Sequence, residues 1–434
     1  MIARVLFINA VDTTSEIEIA QPHLGLGYLA SSLRREFGPD RYQFKVIDRD
    51  VERGILSFKP DIVGITAVSQ NYARAVRYAA TAKKHGLPVM IGGVHISALP
   101  ATLSKDMDVG VLGEGERTII DLFRLYEEKG CFAPESLAKL SGIVFRCRGE
   151  IVVTQDPGPI VPLDSIAMPA RDLLDIGRST YMFTSRGCPY RCTFCASCRF
   201  WGKVRFFSAE YVVAEIKHLI EKYHVKRISF WDDLFVADQK RFQQIIELLG
   251  KEHILGQIEF TCNVRSNLVN EELVARLKAM NIRSVGMGLE SGSPATLRYL
   301  KGSNISVQNH VNAINLLRKH GIKLHTSFII GSPQESREDI LQTLAFIKEN
   351  RLERFNIYVL TPYPGTPIWD YAKAKHLVDE DMDWDRLDVH FGVNHDAAVI
   401  LSDKLTRDEI YELFLEFARI KGATRLRNAL KNPK

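Results

Sequence analysis

The sequence predicts an α/β protein: a doubly wound, Rossmann-like parallel sheet, then a partial (β/α)6 barrel of the TIM type, then a helical C-terminal tail. Three observations carry this expectation. Short β-branched runs alternate with helical patterns through the first part of the chain, the alternation lapses into a proline-rich stretch, and it then resumes as six strand-helix units. The expected divisions are 1–140 for the parallel-sheet domain, 141–178 for the linker, 179–368 for the barrel and 369–434 for the helical region.

In the first division, Arg4–Ile8, Phe44–Asp48, Ile62–Thr66, Val89–Ile91 and Val109–Leu112 read as strands, and Leu24–Arg35, Tyr72–His85 and Glu116–Lys129 as helices. Ligands of such sheets bind beyond the carboxyl ends of the strands. That points to Thr66–Gln70, to Gly92-Gly93-Val94-His95 and to Gly113-Glu114-Gly115-Glu116, where glycines let a bulky ligand approach the backbone. The first strand runs into Asn9-Ala10-Val11-Asp12 rather than a GxGxxG turn, which argues against a nicotinamide or flavin dinucleotide.

The linker opens on a hairpin, Ile143–Arg148 with Glu150–Thr154, and continues through Pro157, Pro159, Pro162 and Pro169. Barrel strands are expected at Tyr181–Thr184, Arg227–Trp231, Ile258–Asn263, Val285–Leu289, Leu324–Ile330 and Arg354–Leu360. The helices between them are Ala209–Tyr223, Gln239–Glu252, Glu271–Met280, Gln308–His320 and Arg337–Asn350. Chemistry is expected at the carboxyl ends of these strands. Leu405–Ala429 reads as one or two amphipathic helices.

Composition narrows the class. Apolar residues are 46% and charged residues 25% of the chain, an ordinary globular balance. The longest apolar runs are of strand length and no secretory signal opens the sequence, so a soluble cytoplasmic protein without a membrane span is expected. The net charge of +5 is spread along the chain, which gives little support to a nucleic-acid partner.

Seven cysteines in such a chain point to reduced ligands or buried apolar residues rather than a disulfide framework. Cys131, Cys147 and Cys262 stand alone, whereas Cys188, Cys192, Cys195 and Cys198 crowd into the segment after the first barrel strand. Three thiols on one loop suit an iron–sulfur cluster. Three ligands for four irons leave one iron open to a chelating ligand. A structural zinc site using all four cysteines lacks the usual second CxxC knuckle, and a cluster serving only electron transfer is the other alternative.

Arg186-Gly187-Cys188-Pro189-Tyr190-Arg191-Cys192-Thr193-Phe194-Cys195, a CxxxCxxC with an aromatic before its last cysteine, resembles the radical S-adenosylmethionine superfamily. The resemblance implies that Cys188, Cys192 and Cys195 ligate a [4Fe-4S] cluster, that S-adenosylmethionine chelates the fourth iron, and that one electron cleaves it to methionine and a 5′-deoxyadenosyl radical. It also implies oxygen sensitivity and a low-potential electron donor such as a flavodoxin or ferredoxin. Cys198 would be a non-ligand thiol, since a fourth ligand would block the open iron.

Further matches lie along the barrel. Gly286-Met287-Gly288-Leu289-Glu290-Ser291-Gly292-Ser293 resembles the family strand whose Glu–Ser–Gly turn meets the cofactor, and Phe328-Ile329-Ile330-Gly331-Ser332-Pro333-Gln334-Glu335 the turn near its adenosine. Thr361-Pro362-Tyr363-Pro364-Gly365-Thr366-Pro367 resembles the closing proline-rich loop. Glu290, Ser291, Gly331, Glu335 and Phe194 are thereby implied as S-adenosylmethionine contacts, although strand-end residues of these types also serve as turns and caps. Asp232-Asp233 and Arg265 are expected to face the same site or to form surface salt bridges.

A doubly wound domain ahead of such a barrel resembles the cobalamin-binding branch of the superfamily. Thr66, Ser69, Gly92, Gly93, His95, Gly113 and Glu114 are the implied cobalamin contacts. The DxHxxG motif that supplies a cobalt ligand is absent, so neither His95 nor His23, in Gln21-Pro22-His23-Leu24-Gly25, is assigned to the metal. The resemblance implies methylation of an unactivated carbon of a small molecule: a substrate radical takes its methyl from methylcobalamin and a second S-adenosylmethionine restores it. Radical oxidation, cyclisation or rearrangement without methyl transfer stays open, as does a non-enzymatic cobalamin sensor or electron carrier. A methylthiotransferase would carry three cluster cysteines in its first domain, where only Cys131 and Cys147 lie nearby.

Overall fold

A computed structural model describes residues 3–13 and 22–431 and divides the chain into two compact units. One comprises Met1–Gly177, Arg199–Phe207 and Asp379–Asp385; the other comprises Arg178–Cys198, Ser208–Val378 and Arg386–Lys434. Gln21 of the helix-entry turn lies outside the described residues.

The first unit is built on seven strands: β1 (Ala3–Ala10), β2 (Tyr42–Ile47), β3 (Ile62–Ala67), β4 (Val89–Gly92), β5 (Val109–Val111), β6 (Ile143–Cys147) and β7 (Glu150–Val153), in the order β2-β1-β3-β4-β5-β6-β7. β1 to β5 are parallel. The hairpin β6–β7, expected within the linker, adds two antiparallel strands to the edge beside β5. Helices of eight or more residues here are α1 (Leu24–Phe37), α2 (Val51–Phe58), α3 (Tyr72–Lys84) and α4 (Gly115–Lys129). Leu26 and Leu33 of α1 and Ile119, Leu122 and Phe123 of α4 pack on Val5, Phe7, Ile62 and Phe145 of the sheet. Each such large side chain contributes roughly 1.5–3 kcal/mol by burial. Because β2 and β3 flank β1 on opposite sides, the strand order reverses between β1 and β3, which opens a crevice above their carboxyl ends.

The second unit carries six consecutive parallel strands: β8 (Ser179–Met182), β9 (Arg227–Phe230), β10 (Glu259–Asn263), β11 (Ile282–Glu290), β12 (Lys323–Ile330) and β13 (Phe355–Val359). The crossovers are α5 (Ala209–Tyr223), α6 (Gln239–Lys251), α7 (Glu271–Ala279), α8 (Pro294–Lys301), α9 (Val307–Lys319) and α10 (Arg337–Glu349). Strand period decides the two faces. Phe230, Phe260 and Phe328 are buried, and Phe235, Phe242 and Phe346 are among the aromatic rings packed with them. The alternate residues Ser229, Thr261 and Ser327 are only half-buried, and Thr261 donates to Ser229 across the face at 2.8 Å. These residues give the sheet a second, more polar face, as a partial barrel requires.

Ser208, Asp238, Asn270, Ser306 and Ser336 cap the N-termini of α5, α6, α7, α9 and α10 through side-chain oxygens. α11 (Pro367–Ala374) follows the proline-rich loop, a single helical turn spans Phe391–Asn394, and the segment expected to hold one or two helices forms one, α12 (Arg407–Lys431). Among the described residues no helix is long and apolar enough to cross a membrane.

Candidate functional site

The cysteine loop begins where β8 ends, and its start is pinned from below. The carboxylate of Asp232, 1% exposed, accepts from the backbone N–H of Thr184 at 2.6 Å, from that of Ser185 at 3.0 Å, and from the Thr184 hydroxyl. Burial pushes the Asp232 carboxyl upward, and these bonds and Arg241 oppose that rise. Arg241 donates to the Thr184 carbonyl and hydroxyl, each at 3.0 Å. Asp232 is therefore a buried brace rather than a surface ion pair. Gly187 then turns the chain at φ 89°.

Beyond it the loop docks on the C-terminal turn of α8: Thr193 donates its N–H to the Leu300 carbonyl at 3.0 Å and its hydroxyl to the Tyr299 carbonyl at 3.2 Å. The thiols of Cys188, Cys192 and Cys195 and the ring of Phe194 are half-buried. Burial is the main cause that raises the Cys188 and Cys195 thiols, the latter to about 11; the neighbouring Cys192 thiol and the Asp233 carboxylate add to both. Asp233 itself is exposed and accepts from the Ser197 hydroxyl. Arg265 lies against Cys192 and Tyr190.

Glu290 ends β11 in the left-handed region at φ 63°, a conformation that costs a non-glycine residue on the order of 1 kcal/mol. Its carboxylate meets the Lys301 ammonium at 3.0 Å, which also donates to the Gly288 carbonyl at 2.5 Å. A Cβ at residue 288 would stand 2.2 Å from the Glu290 carboxylate, so a larger residue there would have to displace that side chain. Ser291 is fully buried and bonds through its hydroxyl to that of Thr343 at 3.0 Å, and Gly292 donates its N–H to the same Thr343 oxygen at 3.0 Å. This turn is thereby fastened to α10.

Glu335, 2% exposed, accepts from the Ser332 N–H at 3.1 Å, and burial, opposed by hydrogen bonds from Ser332, Gly331 and Thr296, raises its pKa to about 7. Gly331 sits at φ 80°, one residue before Ser332. α8 links these places, with Thr296 beside Glu335, Lys301 on Glu290 and two carbonyls under the cysteine loop. α8 and Lys301 lie outside the helices expected from the sequence, although Ser293 followed by Pro294 is a helix-start signal.

In the first unit, Thr66 and Gly92 are register partners at the ends of β3 and β4. A Cβ on Gly93 would strike the Ala67 carbonyl at 2.6 Å and the Thr66 hydroxyl at 2.9 Å, which explains the glycine. His95 is fully buried, with Nδ1 at 3.1 Å from the Ser69 hydroxyl and Nε2 at 3.1 Å from that of Thr102. Its ring stacks on Tyr72 at 3.8 Å and meets the edge of Trp384 at 4.5 Å. Burial lowers its pKa to about 3, so the ring is neutral and both nitrogens are engaged. Gly113 donates to Ser97 Oγ at 2.9 Å. Glu114 forms a buried ion pair with Arg205 and accepts from the Ile160 N–H at 2.9 Å. His23 has a local role, since its Nδ1 accepts from the Leu26 N–H and caps α1.

Among the described residues no three His, Cys, Asp or Glu side chains converge on a single ion. Three thiolates from one loop can serve three separate irons of a cluster and leave the fourth open.

The chain matches the Radical SAM superfamily over residues 182–347 and the B12 binding domain over residues 13–123. It is 34% identical over 379 residues to an uncharacterised methyltransferase of Pyrococcus horikoshii, covering 82% of this chain and 80% of that protein. It is 28% identical over 341 residues to bacteriochlorophyllide d C-12(1)-methyltransferase of Chlorobaculum tepidum, covering 76% and 69%. The solved structure of the radical S-adenosylmethionine methyltransferase TsrM from Kitasatospora setae, with cobalamin and a [4Fe-4S] cluster bound, shares the fold at a TM-score of 0.71 and 17% identity, over 87% of this chain and 76% of that one. With its B12 binding domain joined to its barrel, the chain belongs to the cobalamin-binding branch of the radical SAM superfamily, and it is an enzyme whose cofactors are a [4Fe-4S] cluster, S-adenosylmethionine and cobalamin.

Proposed function

We propose that this enzyme cleaves S-adenosylmethionine reductively on a cluster held by Cys188, Cys192 and Cys195, and uses cobalamin to methylate an unactivated carbon of a small molecule. The observation that carries the reading is the cysteine loop itself: three half-buried thiols on one segment, at the carboxyl end of the first barrel strand, anchored by Asp232 and α8. When bound, the cofactors supply one-electron cleavage of a sulfonium and a transferable methyl group.

The chain's own residues bind and orient. The Asp232 carboxylate fixes the start of the loop, and Thr193 fixes its middle on α8. Glu290, held by Lys301, is the proposed contact to the methionine half, Ser291 and Phe194 are proposed as further S-adenosylmethionine contacts, and Gly331 and Glu335 as contacts at the adenosine. In the first unit, Thr66, Ser69, Gly92, Gly93 and Gly113 are proposed to line the cobalamin crevice. His95 and Glu114 are proposed to hold its walls, since their polar atoms are occupied by Ser69, Thr102, Arg205 and Ile160.

Methyl transfer is supported by the relatives named as methyltransferases. The divisions at 1–140, 141–178, 179–368 and 369–434 are proposed as functional segments, and a low-potential ferredoxin or flavodoxin as electron donor. The test is anaerobic: reconstituted protein, hydroxocobalamin, S-adenosylmethionine labelled with a deuterated methyl, a low-potential reductant and a panel of candidate acceptors, read by mass spectrometry. A product carrying the labelled methyl on carbon, formed with 5′-deoxyadenosine, is expected. An acceptor oxidised or cyclised without the label overturns methyl transfer.

A further inference from the structure

Arg265 is 6% exposed, and each of its nitrogens has a partner. Nε donates to Asn267 Oδ1 at 3.1 Å, Nη2 to the Lys301 carbonyl at 3.3 Å and Nη1 to the Cys192 sulfur at 3.6 Å. The guanidinium lies 3.9 Å from the ring centroid of Tyr190. The backbone behind it is fixed as well, since the hydroxyl of the next residue, Ser266, bonds to Nδ1 of the fully buried His310 at 2.7 Å.

These partners are an amide oxygen, a carbonyl, an aromatic face and a sulfur. Among the described residues no carboxylate pairs with Arg265. A guanidinium keeps its proton in proteins, and a buried charge without an opposite charge is costly. Of these partners, Cys192 is the one that becomes an anion on ligating iron.

We propose that Arg265 is a positioning residue that raises the reduction potential of the cluster through Cys192, an inference that rests on the ligand assignment proposed above. An added electron makes the cluster more negative, so a fixed cation and an N–H···S bond stabilise the reduced form more than the oxidised one. The same fork ties Cys192 to the carbonyl of Lys301, the residue that holds Glu290. The charge is thus set by the turn that carries the proposed S-adenosylmethionine contact.

The test is an anaerobic redox titration of the reconstituted full chain, followed by the electron paramagnetic resonance signal of the reduced cluster. Arg265→Gln is expected to shift the equilibrium against reduction by about tenfold, equivalent to about 59 mV for one electron. Arg265→Lys, which keeps the charge without the fork, is expected to fall between the two. An unchanged potential in fully iron-loaded Arg265→Gln overturns the proposal. If that variant does not load iron, wild-type protein grown on 15N-arginine decides: a 15N coupling on the reduced-cluster signal that is lost in Arg265→Lys supports the contact, and its absence in wild type overturns it. A cluster that assembles with unchanged potential in Cys192→Ala overturns the ligand assignment instead.

Discussion

The Glu290 carboxylate and the Lys301 ammonium meet at 3.0 Å with both side chains less than a tenth exposed, across the turn that joins the fourth barrel strand to the short helix α8. The pair holds a glutamate in a left-handed conformation beside a glycine that leaves room for its carboxylate. Removing one partner strands the other as a buried charge.

Lys301→Met is therefore expected to destabilise the apoprotein by about 3–5 kcal/mol, and the double variant Lys301→Met/Glu290→Gln to recover part of that loss. Urea unfolding of the wild type, both singles and the double variant measures the coupling. Purely additive single effects would show that the ion pair contributes nothing of its own.

Glu335 gives a pH dependence of known sign. Its pKa rises from 4.5 unfolded to about 7 folded, so the folded state holds the proton more tightly. The contribution to stability is complete below pH 4.5 and is lost as pH rises through about 7, a change on the order of 3 kcal/mol. Comparing thermal unfolding of wild-type and Glu335→Gln apoprotein from pH 4.5 to pH 8, the stability difference should move in favour of Glu335→Gln until about pH 7 and level off above it. A difference independent of pH would contradict the assignment.

Asp232 accepts three hydrogen bonds at the root of the cysteine loop. Asp232→Asn places a donor where at least one N–H or O–H donor now points, and is expected to cost about 2 kcal/mol and to lower iron loading after reconstitution. Unfolding midpoints and iron analysis on the same samples check this. Full loading at wild-type stability would show that the loop holds its shape without the carboxylate.

The four clustered cysteines separate by role. Cys188→Ala, Cys192→Ala and Cys195→Ala are each expected to lose the [4Fe-4S] absorption and 5′-deoxyadenosine formation, while Cys198→Ala keeps both. Loss of the cluster in Cys198→Ala would reassign the ligand set.

The repeated strand-helix units and the cysteine loop were legible because their signals are local: period-2 and period-3.6 apolar patterns, cap residues, and cysteines within one loop. What sequence missed depends on distant pairing. Glu114 looked available to a ligand, yet its partner Arg205 lies 91 residues away. His95 is enclosed by Trp384, far along the chain, and Lys301 is assigned to Glu290 only by the turn between them. α2 lies outside the expected helices although Asp50, a residue type that commonly opens helices, precedes it; in the structure Asp50 is left-handed and its side chain makes no cap bond. The edge hairpin β6–β7 was seen as a hairpin, but its pairing with β5 is a register that a single sequence does not display.

The central claim is that one chain carries both cofactors and cleaves S-adenosylmethionine on its cysteine loop. The most direct measurement is 5′-deoxyadenosine formation by anaerobically reconstituted protein that has been loaded with hydroxocobalamin and freed of unbound corrin, with the visible spectrum of the same sample recorded. Retained corrin together with 5′-deoxyadenosine that depends on Cys188, Cys192 and Cys195 is the predicted result. Protein that holds a [4Fe-4S] cluster and corrin but yields no 5′-deoxyadenosine, or yields it equally without those cysteines, would contradict the account.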